Sequence, residues 1–118
     1  MDWIWPLYRE YVARNWGRPQ GLDDAGLRRT FLRVLGESTA TLYVMEPVNA
    51  TIRFKGLGRW PLADAGALLA DPNAFIADRF GGGKFKLNFH HGETFVGTHN
   101  FRTYGDELWR PMEDLRFE

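Results

Sequence analysis

The run Phe80-Gly81-Gly82-Gly83-Lys84-Phe85-Lys86-Leu87-Asn88-Phe89-His90-His91-Gly92-Glu93-Thr94-Phe95-Val96-Gly97-Thr98-His99-Asn100-Phe101 decides the fold. Three glycines release the chain into a stretch that alternates apolar and polar residues, turns at His91-Gly92 and alternates back, the pattern of a β-hairpin. Pairing across that two-residue turn sets His90 opposite Glu93, Phe89 opposite Thr94, Leu87 opposite Val96 and Phe85 opposite Thr98. One face then holds Phe85, Leu87, Phe89, Val96 and two threonines. The other holds Lys84, Lys86, Asn88, His90, Glu93, Phe95, Gly97 and His99. A split into apolar and mixed faces predicts an antiparallel sheet with one side on a core.

Working outward, Asp71-Pro72 is an N-cap and first-turn pair for a short helix through Phe75, Ile76 and Phe80, closed by Gly81, and Leu62 to Ala70 reads as helical before it. From Thr39 the period is two, giving a strand with Leu42 and Val44 that stops near Pro47. A second alternating run, Thr51 to Lys55, sets Ile52 and Phe54 on one face after a turn at Pro47 to Asn49. Upstream, Leu7, Tyr8, Tyr11, Val12 and Trp16 recur at helical spacing, and Asp23 or Asp24 caps a second helix through Leu27, Phe31, Val34 and Leu35 that ends at Gly36. The expected class is α+β: two N-terminal helices and a shorter central helix packed on an antiparallel sheet of about four strands, in the order α-α-β-β-α-β-β. The expected core comprises Leu27, Phe31, Leu35, Leu42, Val44, Ile52, Phe54, Phe75, Ile76, Phe85, Leu87, Phe89 and Val96.

The chain's 118 residues, 44% of them hydrophobic, suffice for one domain over 1–118 with a single core. Fifteen basic and fifteen acidic residues cancel, so no global field draws nucleic acid or an anionic membrane, and any such role needs a local patch. The absence of cysteine excludes disulfides and thiolate metal ligands. No apolar run approaches the ~20 residues of a membrane span, and Met1 to Trp5 lacks a signal peptide's basic and apolar regions, so a soluble protein that stays inside its cell is expected, and a reducing compartment or a virion would both suit the lack of cysteine.

Signatures of chemistry are weak. His90, His91 and His99 lie within ten residues, but at a rise of ~3.3 Å per residue the hairpin sets His90 and His99 about 20 Å apart, too far to share a metal. Gly81-Gly82-Gly83-Lys84 departs from a phosphate-binding loop at Asp78 and Phe85 and runs helix-loop-strand rather than strand-loop-helix. The one serine, Ser38, is distant in sequence from any histidine. No catalytic, cofactor or metal residue is assigned, and a non-enzymatic role is expected.

Two binding surfaces are expected instead. Trp3 and Trp5 near one end, with Tyr104, Trp109 and Arg110 near the other, are residue types that dominate protein interfaces and suggest anchors for a protein partner or a second copy. Alternatively, Lys84, Lys86, Phe95 and His99, extended by Arg53 and Lys55, combine cations with an aromatic as in surfaces that stack bases and contact phosphate.

The joint Phe80-Gly81-Gly82-Gly83-Lys84-Phe85-Lys86-Leu87 resembles a short pattern in uncharacterised small proteins of tailed bacteriophages and prophages. In that pattern a helix ends in Tyr/Phe-Gly-Gly/Pro-Gly, followed by Lys/Arg, an aromatic and alternating residues. The resemblance covers about Asp71 to Phe101 and implies a phage origin. The roles it implies are a virion decoration or connector component, an inhibitor of a host defence protein, or a nucleic-acid binder. The leading expectation is a phage-encoded protein-binding module, with nucleic-acid binding through the hairpin face as the alternative.

Overall fold

A computed structural model describes residues 3–103. Helices α1 (Trp5–Trp16) and α2 (Asp24–Gly36) precede strands β1 (Ser38–Val48) and β2 (Thr51–Pro61). A 3-10 turn (Leu62–Asp64), α3 (Gly66–Ala70) and α4 (Pro72–Phe80) then lead to β3 (Gly83–His91) and β4 (Thr94–Thr103). The α+β class stands, with a four-stranded antiparallel sheet ordered β2-β1-β3-β4. The central helical segment is split in three, because the 3-10 turn precedes α3 and Asp71-Pro72 starts α4 afresh. No described helix is long and apolar enough to cross a membrane.

Local chemistry accounts for most of the boundaries. The Asp23 carboxylate accepts from the Gly26 backbone N–H at 2.8 Å, and Asp71 accepts from Ala74 N–H at 3.1 Å, so both helices start on a side-chain cap. Gly81 leaves α4 with φ +72, a left-handed conformation that glycine adopts without a Cβ clash. Gly36, expected to play the same part for α2, is instead its last helical residue. The chain passes directly into β1, and the Ser38 hydroxyl donates to Val34 O at 2.7 Å, satisfying a carbonyl of the last turn.

The core lies between the helices and one sheet face. Tyr8 is fully buried with its ring 5.5 Å from Phe31 and 6.1 Å from Phe89, and Phe85 stacks on Phe101 at 5.7 Å. Leu27, Phe31, Leu35, Leu42, Ile76, Phe85, Leu87 and Phe89 are buried, while Val44, Phe75 and Val96 pack partly exposed against them.

A β-bulge in one hairpin and a shifted turn in each overturn the expected faces. In the second hairpin the turn falls at Gly92-Glu93 rather than His91-Gly92, so His91 pairs with Thr94 and His90 with Phe95. The register then shifts, and Phe89 pairs with Gly97, Leu87 with His99 and Phe85 with Phe101. Val96 is the extra residue, and past it the parity of β4 reverses: His99 and Gly97 turn toward the core and Thr98 turns outward. A Cβ on Gly97 would sit 2.9 Å from Leu7 Cγ of α1, so a glycine is needed where the helix closes on the strand.

In the first hairpin the turn falls at Asn49-Ala50 rather than Pro47 to Asn49, so Ile52 pairs with Pro47 and Phe54 with Met45. Ile52 and Phe54, expected in the core, therefore stand on the far face; Ile52 is 48% exposed, and the Lys86 ammonium lies 5.0 Å from the Phe54 ring centre. Further along, Leu42 pairs with Gly58 but Tyr43 with Gly56, leaving Leu57 unpaired, so the parity of β2 reverses again and Arg59 joins the far face. Arg53 and Lys55 move to the opposite side, where Arg53 donates to Glu46 at 2.8 Å. β1 pairs with β3 only as far as Val44, so beyond it β1 and β2 continue as a two-stranded arm.

Candidate nucleic-acid interface

Each described helix packs on the side of the sheet that holds Ala40, Leu42, Leu87 and Phe89, and the opposite face carries no described element. Alternation through the observed registers places Thr41, Tyr43 and Met45 of β1 on that open face, with Ile52, Phe54 and Arg59 of β2, Lys84, Lys86 and His90 of β3, and Phe95 and Arg102 of β4. Three aromatic rings and four permanent cations share it. No strand position on this face is Asp or Glu among the described residues, so the chain's balanced charge is distributed unevenly.

Several contacts organise the face. The His90 and Phe95 rings meet edge-on at 5.5 Å, and Phe95 is 53% exposed. Tyr43 leans over Gly56, where a Cβ would lie 4.0 Å from its Cε1. Arg59 donates to the Thr39 hydroxyl at 3.2 Å, and Thr98 donates to Asn88 Oδ1 at 2.7 Å. At the end nearest the β3–β4 turn, Thr41, Tyr43, Arg59, His90, Gly92 and Glu93 line an open depression of about 460 Å³.

Of the residues expected to bind nucleic acid, Lys84, Lys86 and Phe95 do share this face. Arg53 and Lys55 do not, for the parity reason above. His99 does not either: its ring lies 4.7 Å from Trp3 and 5.5 Å from Phe101 on the core side. Burial pushes its pKa from 6.5 down to about 4, so it is neutral at pH 7. Because the folded value is the lower one, the stability this ring contributes is present above pH 6.5. It is lost as the unfolded chain gains a proton below 6.5, and the loss is complete as pH falls through about 4. A fully sealed ring would cost about 3 kcal/mol across that window; with part of it meeting solvent, about 1–2 kcal/mol is expected. Urea unfolding at pH about 7.5 and about 4.5 should show His99→Gln losing less stability than the parent by that amount.

The expected protein anchors fare differently. Trp3 donates from Nε1 to Leu69 O at 2.7 Å and packs 5.9 Å from Phe89, while Trp5 packs 4.9 Å from Phe31 with the Arg28 guanidinium 5.2 Å from its ring centre. Both pack half-buried against the core. Tyr104, Trp109 and Arg110 lie outside the described residues.

One arrangement was invisible in the sequence. His91, expected to be a solvated turn residue, bridges Tyr11 Oη at 2.9 Å through Nδ1 and Glu37 Oε1 at 3.0 Å through Nε2. An ionised carboxylate only accepts, so Nε2 carries a proton toward Glu37, and in the neutral tautomer that this leaves, Nδ1 accepts from the tyrosine. Burial raises the pKa of Tyr11, which holds its hydroxyl in the neutral form and makes it a poor nucleophile. The chain of contacts ties the hairpin turn to α1 and to the end of α2. Among the described residues no cluster of three His, Asp or Glu forms that could hold a metal.

Compared with family models, curated proteins and solved structures, the chain matches none.

Proposed function

We propose that this protein binds single-stranded nucleic acid on the open face of its sheet. The observation that carries the reading is the coincidence on one uncovered surface of Tyr43, Phe54 and Phe95 with Arg59, Lys84, Lys86 and Arg102, free of any strand carboxylate among the described residues. Aromatic rings stack unpaired bases and cations meet phosphate, and this sheet face presents both. Duplexes, whose bases are already stacked, gain only the charge contacts. A phage-encoded nucleic-acid binder is among the roles implied by the helix-to-hairpin resemblance.

The test is fluorescence anisotropy with labelled single- and double-stranded oligonucleotides across a salt series. Single strands are expected to bind more tightly than duplexes. Lys84→Ala with Lys86→Ala should reduce the slope of log affinity on log salt by about 1.4, at about 0.7 per phosphate contact. Absence of binding at low salt, or a slope unchanged by the double variant, would overturn the reading.

A protein partner is the second reading. It rests on the arm, where Ile52 is half exposed beside Phe54, an apolar pair that suits a virion or host protein surface. Light scattering after size exclusion would favour it through a discrete oligomer that persists at high salt.

A further inference from the structure

We infer that the depression at the turn end of the open face is a pocket for one unpaired guanine base. The inference rests on the single-strand reading above and adds a base preference to it. Its lining combines chemically opposite groups: the Tyr43 ring, the Arg59 guanidinium and the carboxylate of Glu93, which the β3–β4 turn brings beside a face otherwise without acids among the described strand positions.

A carboxylate would be a poor choice for a site that only held phosphate, since it repels the backbone. Its value lies in what it accepts. Guanine alone presents two adjacent donors, N1–H and the N2 amino group, on its Watson–Crick edge, matching the two oxygens of Glu93. Adenine and cytosine offer one donor beside an acceptor, and thymine one donor between two carbonyls, each of which sets a lone pair against the carboxylate. Arg59 supplies the converse, since its fork suits the O6 and N7 acceptors of the same base. Tyr43 provides a ring against which the base can stack.

The location favours selectivity. The turn bearing Glu93 follows His91, which is held at both ring nitrogens by Tyr11 and Glu37, so the backbone that carries Glu93 starts from an anchored residue. A site carried on an anchored backbone discriminates more sharply than one on a free loop.

The experiment measures anisotropy for labelled oligothymidylates, either all dT or with one central dG, dA, dC or deoxyinosine. The dG strand is expected to bind about tenfold more tightly than all-dT, with deoxyinosine intermediate because it lacks the N2 donors. Glu93 is exposed, so Glu93→Ala should leave the thermal midpoint in place. It should reduce the dG preference to within about twofold and leave all-dT binding equal or tighter. Binding of all strands without a dG preference, or a preference that survives Glu93→Ala, would overturn the pocket and leave the interface standing. Failure of every strand to bind at low salt would overturn both.

Discussion

Phe89→Ala is expected to lower unfolding stability by about 3–5 kcal/mol, whereas Phe95→Ala, the same change six residues along the same hairpin, should move it by no more than about 0.5 kcal/mol. Phe89 is fully buried between Trp3 and Tyr8, so truncation removes its transfer energy and leaves a cavity lined by rings that cannot collapse. Phe95 is 53% exposed and touches His90 edge-on, and alanine there opens no void. For a domain of this size, with stability of about 5–15 kcal/mol in all, the first variant approaches the threshold of folding. Urea titrations of both variants at pH 7 measure the contrast. Similar losses would mean that the two faces of the hairpin are assigned wrongly.

The second large effect concerns binding. Tyr43→Ala together with Phe95→Ala should weaken single-strand affinity by about 2–6 kcal/mol, at about 1–3 kcal/mol for each stacked base. Even the lower figure is about thirtyfold. Because neither change alters charge, the salt slope should stay as in the parent, which separates stacking from phosphate neutralisation. Isothermal titration at two salt concentrations reads both quantities. Unchanged affinity in the double variant would remove the aromatic half of the interface.

Much of the architecture was legible because its signals are local. The Asp71-Pro72 start and Gly81 stop of α4, the Asp23 cap of α2 and the existence of both hairpins all rest on residues within a few positions of one another. The division of residues between faces was not, because a period-two pattern carries its parity only as far as the first bulge. Val96 inserts one residue, so Gly97 and His99 beyond it change side, while in the first hairpin the turn at Asn49-Ala50 rather than Pro47 to Asn49 shifts the pairing and moves Ile52, Arg53, Phe54 and Lys55. A sign was present in the glycines Gly56, Gly58 and Gly97, since isolated glycine inside a strand pattern marks bulges and close approaches.

The contacts of His91 were out of reach for another reason. Its partners lie 80 and 54 positions away, so only the folded chain brings them together. The same applies to Trp3, whose bond to Leu69 spans 66 positions and holds it half-buried against the core. Of the expected interface, Lys84 and Lys86 share the open face because β3 itself carries no inserted residue, and Phe95 because it precedes the extra residue Val96.

The unequal lengths of strand pairing give the sheet a mechanical gradient. At one end the β3–β4 turn is cross-linked to two helices through a single imidazole. At the other, beyond Val44, the β1–β2 arm is a ribbon one pairing deep whose opening disturbs none of the pairing between β1 and β3. Such a ribbon breathes at a small fraction of the free energy that melts the whole domain. The molecule thus resembles a cantilever, clamped where the carboxylate-bearing depression lies and compliant where Ile52 stands.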